Sequence, residues 1–203
     1  VHRTLKDHTT LFTLFFSKLM LAFLARDFDA ALDFAQKGLG VIDGAPATPM
    51  QGPFHYYHSL ALLQALRNSP EKHSRRRALR RVRSNQRKLK RWAKFAPQNQ
   101  MHKWHLVEAE RCALAGKDAE AVRHYKQSAS LARSNEYLHE EAIASELFGR
   151  YYLSRGEARI ARIYIEEAMY YYRKWGAGAK IAAMESEFSY LSPRSKQEDA
   201  TRS

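Results

Sequence analysis

Apolar positions along this chain recur three and four residues apart almost from end to end, the spacing that gathers them on one face of an α-helix. The pattern is clearest over residues 101–176, where it is stated twice. In the first copy Gly116 is followed by Ala121, Tyr125 and Ala129; forty residues on, Gly156 is followed by Ala161, Ile165 and Met169. Each copy predicts a helix, a glycine turn and a second helix. Antiparallel helices joined by a tight turn approach closely only where a small residue faces the partner, and a larger apolar residue one turn on fills the space beyond. A hairpin cannot bury its stripe alone, so the repetition implies stacked neighbours. The expected fold is all-α, and its expected packing residues are Ala121, Tyr125, Ala161, Ile165 and Trp175, with Gly176 closing the second pair in a left-handed conformation.

The rest of the chain follows the same grammar. Thr9 and Thr10 predict the N-cap of a first helix that carries Leu11, Leu14, Phe15, Leu19, Phe23 and Ala25 and ends near Arg26. Beyond it Ala31 and Ala35 repeat the small-residue spacing and predict a further hairpin. Six breakers (Gly40, Gly44, Pro46, Pro49, Gly52 and Pro53) predict an internal loop over 40–53. Residues 54–66 return to helical spacing with Tyr57, Leu60, Ala61, Leu63 and Leu66 inward. Pro70 is expected in the first turn of the next helix, whose row runs Leu79, Val82, Gln86, Leu89, Ala93 and Ala96 with Trp92 beside it. Helices are then expected over 101–115, 118–133, 136–155, 157–174 and 179–191, the last with Ile181, Met184, Phe188 and Leu191 as its apolar row. No strand pattern is found. The repeat region spans 1–192, and 193–203 reads as a polar, disordered tail.

Composition narrows the class. At 203 residues and 45% hydrophobic the chain has enough apolar surface for a core. Its single cysteine, Cys112, cannot form an internal disulfide, so a cytoplasmic setting is expected. The most apolar window, residues 11–24, is broken by Thr13, Ser17 and Lys18 and is too short to span a membrane. A chain that opens on Val1 suggests a segment of something longer.

Charge changes the picture most. Twelve Lys or Arg lie between Glu71 and Ala96 against that one acid, so most of the formal +13 sits on a single predicted helix. With the apolar row on one face, the cations fall on the other, and Arg76, Arg80, Arg83, Arg87, Lys90 and Arg91 are the candidate residues for an anionic partner. The bland reading is a solvated outer helix face. Only Trp92 and Phe95 are interleaved as aromatics, which weakens a nucleic-acid interface without removing it.

No G-x-x-x-x-G-K-[ST] run exists, and His139-Glu140-Glu141-Ala142-Ile143 has Ile143 where a helical zinc-protease motif needs its second histidine. His102, His105 and Glu108 share helical spacing but fix no third strong ligand. His55 and His58 bracket Tyr57, which reads as a packing residue. Cys112 reads as a buried, inert thiol. Tyr170, Tyr171 and Tyr172 point 100° apart, so at most two share a face, and one or two are expected to pack with their hydroxyls reaching solvent. No catalytic residue, cofactor or metal site is expected.

Several blocks carry a family likeness. RDFDAA at 26–31, GKDAEA at 116–121 and GEARIA at 156–161 resemble the turn and second-helix start of tetratricopeptide repeats, although the period here exceeds 34 residues. FHYYHSLALL at 54–63, NQRKLKRWAKFAPQNQMHKWHLVEAE at 85–110, EEAIASEL at 140–147 and YYYRKWGAGAKIAAMESEF at 170–188 resemble the helical region of large signalling proteins. In those proteins an AAA-type ATPase, often preceded by a serine/threonine-kinase-like domain, is followed by this region and then by a GAF domain and a histidine kinase. The resemblance implies a TPR-like superhelix of antiparallel hairpins. Its role would be a non-catalytic scaffold coupling the ATPase module to the kinase output, with protein or neighbouring domains of the same polypeptide as partners. The alternative is a nucleic-acid-binding module built on the basic helix 71–96.

Overall fold

Four turns in this chain are built alike and stand twenty residues apart. Gly116, Glu136, Gly156 and Gly176 all have positive φ, between 62° and 86°. In each turn the next residue's N–H reaches back five positions, to the carbonyls of Cys112, Ala132, Tyr152 and Tyr172 at 2.9–3.0 Å. This left-handed closure satisfies carbonyls that a helix end leaves orphaned and reverses the chain within three residues. Arg26, at φ 63°, makes the same turn near the start, with Asp27 bonded to the Ala22 carbonyl. One helix plus one turn is thus the unit of length, and a pair reproduces the forty-residue period.

The computed structural model describes residues 2–44, 48–68, 70–71 and 74–191, with the side chains of 2–7 excepted. Among them are nine α-helices and no strand: α1 (His2–Leu24), α2 (Phe28–Val41), α3 (Gln51–Asn68), α4 (Arg75–Ala93), α5 (Pro97–Leu114), α6 (Asp118–Ser134), α7 (Leu138–Ser154), α8 (Ala158–Trp175) and α9 (Gly178–Glu187). Short 3-10 turns cover Ile42–Gly44 and Ser189–Leu191. The fold is all-α. The chain divides into two units, Val1–His124 and Tyr125–Ser203, with the boundary inside α6.

In the first unit α3 is the centre, and α1, α2, α4 and α5 all pack on it. It is consequently buried almost all round, from Phe54 to Ala61 and again from Leu63 to Leu66. Phe12 meets the Phe54 ring at 5.2 Å, and Phe23 meets Tyr57 edge-on at 5.5 Å. The polar members of α3 and α5 are paired across the packing: Gln64 donates to Glu110 at 2.7 Å, and Arg67 completes that carboxylate at 2.9 Å.

In the second unit α7 and α8 form the tightest pair. A Cβ on Gly149 would stand 2.8 Å from the Ile165 side chain and 3.1 Å from the Ala161 carbonyl, so the helices approach where α7 has no side chain at all. Tyr125 stacks on Phe148 with centroids 4.8 Å apart, and Tyr164 lies 4.2 Å from the same ring. Glu146, inside α7, accepts from Tyr172 at 2.8 Å and from Lys180 and Arg150 at 2.9 Å, while Arg150 grips Glu187 through two 2.6 Å bonds. These bonds fasten α9 to the pair.

Several expectations need correction. No loop fills 40–53: α2 continues through Gly40 to Val41 and α3 starts at Gln51. Pro53 is tolerated because a helix's first turn leaves its N–H groups unpaired in any case. Gly38 and Gly52 are there for contact, since a Cβ at either would fall 2.6 Å from Phe54 or Gln100. α1 begins at His2 rather than after Thr9 and Thr10, and Thr13 bonds back to the Thr9 carbonyl within it. Leu11 and Leu14 are exposed, and Phe12 takes the core position. Pro70 lies ahead of α4, which Ser74 caps instead. Of the expected packing residues Ala121, Tyr125, Ala161 and Ile165 are buried, but Trp175 is 37% exposed and stacks on His139 at the surface. Ser128 rather than Ala129 is buried in α6. Tyr172 packs, yet its hydroxyl ends on Glu146 and not in solvent. The expected tail, 193–203, lies outside the described residues, as do Ser69 and Lys72. No helix among the described residues is long and apolar enough to cross a membrane.

Candidate anion-binding groove

α4 owes its orientation to the few uncharged residues it has. Ala78, Val82, Leu89 and Ala93 are buried, and with them Asn85 and Gln86. Asn85 donates to Ser59 of α3 at 3.0 Å, and Gln86 donates to Glu108 of α5 at 2.7 Å and to the Trp104 carbonyl at 3.0 Å. These bonds hold the helix against rotation, because turning it would leave buried amides unpaired. Leu79 and Ala96, expected in the row, are only half-buried, and Ala78 and Asn85 stand in it instead. The remaining faces of α4 are basic.

One basic flank looks into a groove of about 710 Å³. α4 supplies Arg77, Arg80, Arg81, Ser84 and Arg87, and Ser74 stands at the helix start. α3 supplies His58 and Leu62, and α2 supplies Gln36 and Leu39. No carboxylate among the described residues lines it. Among the described residues, none of the four guanidinium groups is ion-paired.

The lysines of α4 are engaged elsewhere. Lys88 lies 3.2 Å from Nε2 of His55, whose ring stacks on Trp92. Burial, and then the adjacent Arg81, holds the Lys88 ammonium below its ordinary value. Lys90 lies over the Trp104 ring, 5.4 Å from its centroid. Burial, with Lys88 second, lowers His55 to about 3; burial, with Arg81 second, lowers His58 to about 4. Both imidazoles are therefore neutral at neutral pH, and Nδ1 of His58 is buried without a hydrogen-bond partner. The charge of the groove is the charge of its arginines.

Of the six residues singled out in the sequence, Arg80 and Arg87 line the groove. Arg76, Arg83 and Arg91 are exposed outside its lining, and Lys90 faces α5. Arg77, Arg81 and His58 were missed. A signal existed: Arg77, Arg81 and Ser84 follow one another at helical steps of four and three, a stripe separate from Arg76, Arg83 and Lys90 at steps of seven.

The other candidates are dispersed. His102 is buried beside the Lys103 ammonium at 3.0 Å, whereas His105 meets His124 of α6, Nδ1 to Nδ1, at 2.8 Å. Glu108 is held by Gln86 and Arg111. Among the described residues no group of three or more His, Cys, Asp or Glu is placed to hold a metal ion. Cys112 is buried, and that burial pushes its thiol up. Five carboxylates whose burial the sequence reading did not anticipate, Glu108, Glu110, Glu140, Glu141 and Glu146, lie inside. No family model, curated protein or solved structure matches the chain.

Proposed function

We propose that this chain is a non-catalytic interaction scaffold, a TPR-like superhelix of helical hairpins, that docks an acidic segment of a protein partner or of a neighbouring domain in the α4 groove. The observation that carries it is the set of four groove arginines without a carboxylate among the described residues, beside a cavity of about 710 Å³. Guanidinium groups held by a rigid helix and left unneutralised attract anions and steer them over a distance set by salt. The block resemblance of residues 54–63, 85–110, 140–147 and 170–188 supports the wider setting, a relay between an ATPase module and a kinase output. In that setting a bound segment favours one packing of the hairpins and so biases what lies beyond.

Fluorescence anisotropy with an Asp/Glu-rich peptide and with a short DNA duplex of unrelated sequence tests this. The peptide is expected to bind at low salt, to weaken as salt rises, and to lose about tenfold in affinity in the Arg80→Glu/Arg87→Glu double variant. Lys94→Glu, at the C-terminal cap of the same helix and outside the groove lining, is the control. Stronger binding of the duplex than of the peptide would favour the nucleic-acid module instead.

A further inference from the structure

We infer that the groove is built for a phosphoryl group, so that the docked segment is held through a phosphorylated side chain in the groove that Arg77, Arg80, Arg81 and Arg87 line. This rests on the reading of the groove as an acidic-segment site and names the chemistry that fills it.

Three observations carry it. The first is the kind of cation. α4 holds both lysines and arginines, yet among the described residues every cation lining the groove is an arginine, while Lys88 and Lys90 are taken up by His55 and Trp104. A guanidinium offers a planar fork of donors that fits phosphate oxygens two at a time, whereas an ammonium is a point charge. The second is charge density. A carboxylate brings one charge and two oxygens; a phosphoryl group brings nearly two charges and three strong acceptors on one atom. Four arginines with the Ser84 hydroxyl beside them, and no acid, match the latter. The third is what the lining lacks. Among the described residues His58 is its only ring, and its buried Nδ1 is unpartnered; Phe95 is 86% exposed outside the groove. Nucleic acid bound without aromatic stacking would have phosphate contacts alone. The volume exceeds what a lone phosphate fills and falls within the roughly 300–1,000 Å³ of ligand sites. The phosphoryl group therefore arrives on a chain.

The experiment uses the purified chain and one acidic, fluorescein-labelled peptide made in three forms, with serine, glutamate or phosphoserine at its centre. Phosphoserine is expected to bind about tenfold more tightly than glutamate, and inorganic pyrophosphate to displace it. Arg77→Gln/Arg81→Gln is expected to erase that margin with unchanged circular dichroism, whereas Arg76→Gln/Arg83→Gln keeps it. Equal affinity of the phosphoserine and glutamate peptides overturns the phosphoryl assignment and leaves the acidic-segment reading standing. Failure of all three peptides at low salt overturns both. If a short DNA duplex binds more tightly than the phosphopeptide, the groove serves nucleic acid and the assignment is wrong.

Discussion

Replacing Glu146 by glutamine removes one charge and leaves the shape of α7 intact, which makes it the cleanest probe of what fastens α9. The wild-type carboxylate is buried and accepts from Tyr172, Lys180 and Arg150 at 2.8–2.9 Å. Arg150 keeps Glu187 in the variant, while Lys180, whose side chain is only 9% exposed, loses the Glu146 charge that stands 2.9 Å from its ammonium. Breaking one side of a buried pair costs about 3–5 kcal/mol, because the partner's charge stays in a poor solvent. With Arg150 still paired, the lower figure applies, and at about 2–4 °C per kcal/mol for a chain of this size the melting midpoint should fall by about 6–12 °C. Burial pushes this carboxyl up, but the Lys180 ammonium and Arg150 guanidinium outweigh it, so it ionises below its ordinary 4.5. A carboxyl with a lowered folded value contributes stability that is whole above 4.5 and vanishes as pH falls through that lowered value. Thermal denaturation followed by circular dichroism at pH 7 and in acid should thus show a gap between wild type and Glu146→Gln that closes in acid. A gap under about 2 °C at pH 7, or one that persists unchanged into acid, would refute the account.

Other consequences are open to the same instruments. Glu136 adopts φ 62° where three of the equivalent turns have Gly116, Gly156 and Gly176, so Glu136→Gly should stabilise by about 1 kcal/mol in urea denaturation. Gly176→Val, at φ 86°, should cost about 1–2 kcal/mol, and Gly176→Asn clearly less. Gly149→Val drives a side chain into Ile165 and should cost about 1–3 kcal/mol by the same measurement. His55 and His58 titrate near 3 and 4 when folded and near 6.5 when unfolded, so the unfolded chain binds more protons between those values. Stability should therefore rise from pH 4.5 to 6.5, by up to about 1.4 kcal/mol per unit for each histidine, and His58→Gln should flatten the slope.

The turns and the packed rows of α6 and α8 were legible because glycine and alanine mark them directly: Gly116, Gly156 and Gly176 are the left-handed residues, and Ala121 and Ala161 are buried. Arg26 and Glu136 were not legible as left-handed residues, because the conformation there is imposed by the five-back hydrogen bond and not by residue type. Central helices defeat periodicity for another reason. α3 and α7 are covered on several sides, so charged or polar residues such as Glu146 and Gln64 go inside with partners that only the fold supplies. Of the groove, its helix and sign could be read from the basic run. The stripe of Arg77, Arg81 and Ser84 was readable in α4 itself, but that this stripe borders a groove depends on where Gln36 and Leu39 of α2 sit, which no pattern in α4 encodes.

The distribution of acids explains why the groove is positive at all. Glu108 and Glu110 of α5 are taken by Arg111 and Arg67, and Glu141 and Glu146 of α7 by Arg133 and Arg150. The carboxylates are thus used to satisfy charges within or beside the core, while α4 carries no acid. It sets like charges one turn apart at Arg76 and Arg80, Arg77 and Arg81, Arg83 and Arg87, and Arg87 and Arg91. Each such pair costs about 0.2–0.5 kcal/mol, so the helix bears on the order of 1–2 kcal/mol of self-repulsion that Val82, Leu89 and the amide bonds of Asn85 and Gln86 must offset. A face needed only for solvation would interleave signs, as α8 does with Arg162 and Glu166. An anion held between these arginines relieves the repulsion, so part of what destabilises the free helix becomes part of the binding free energy.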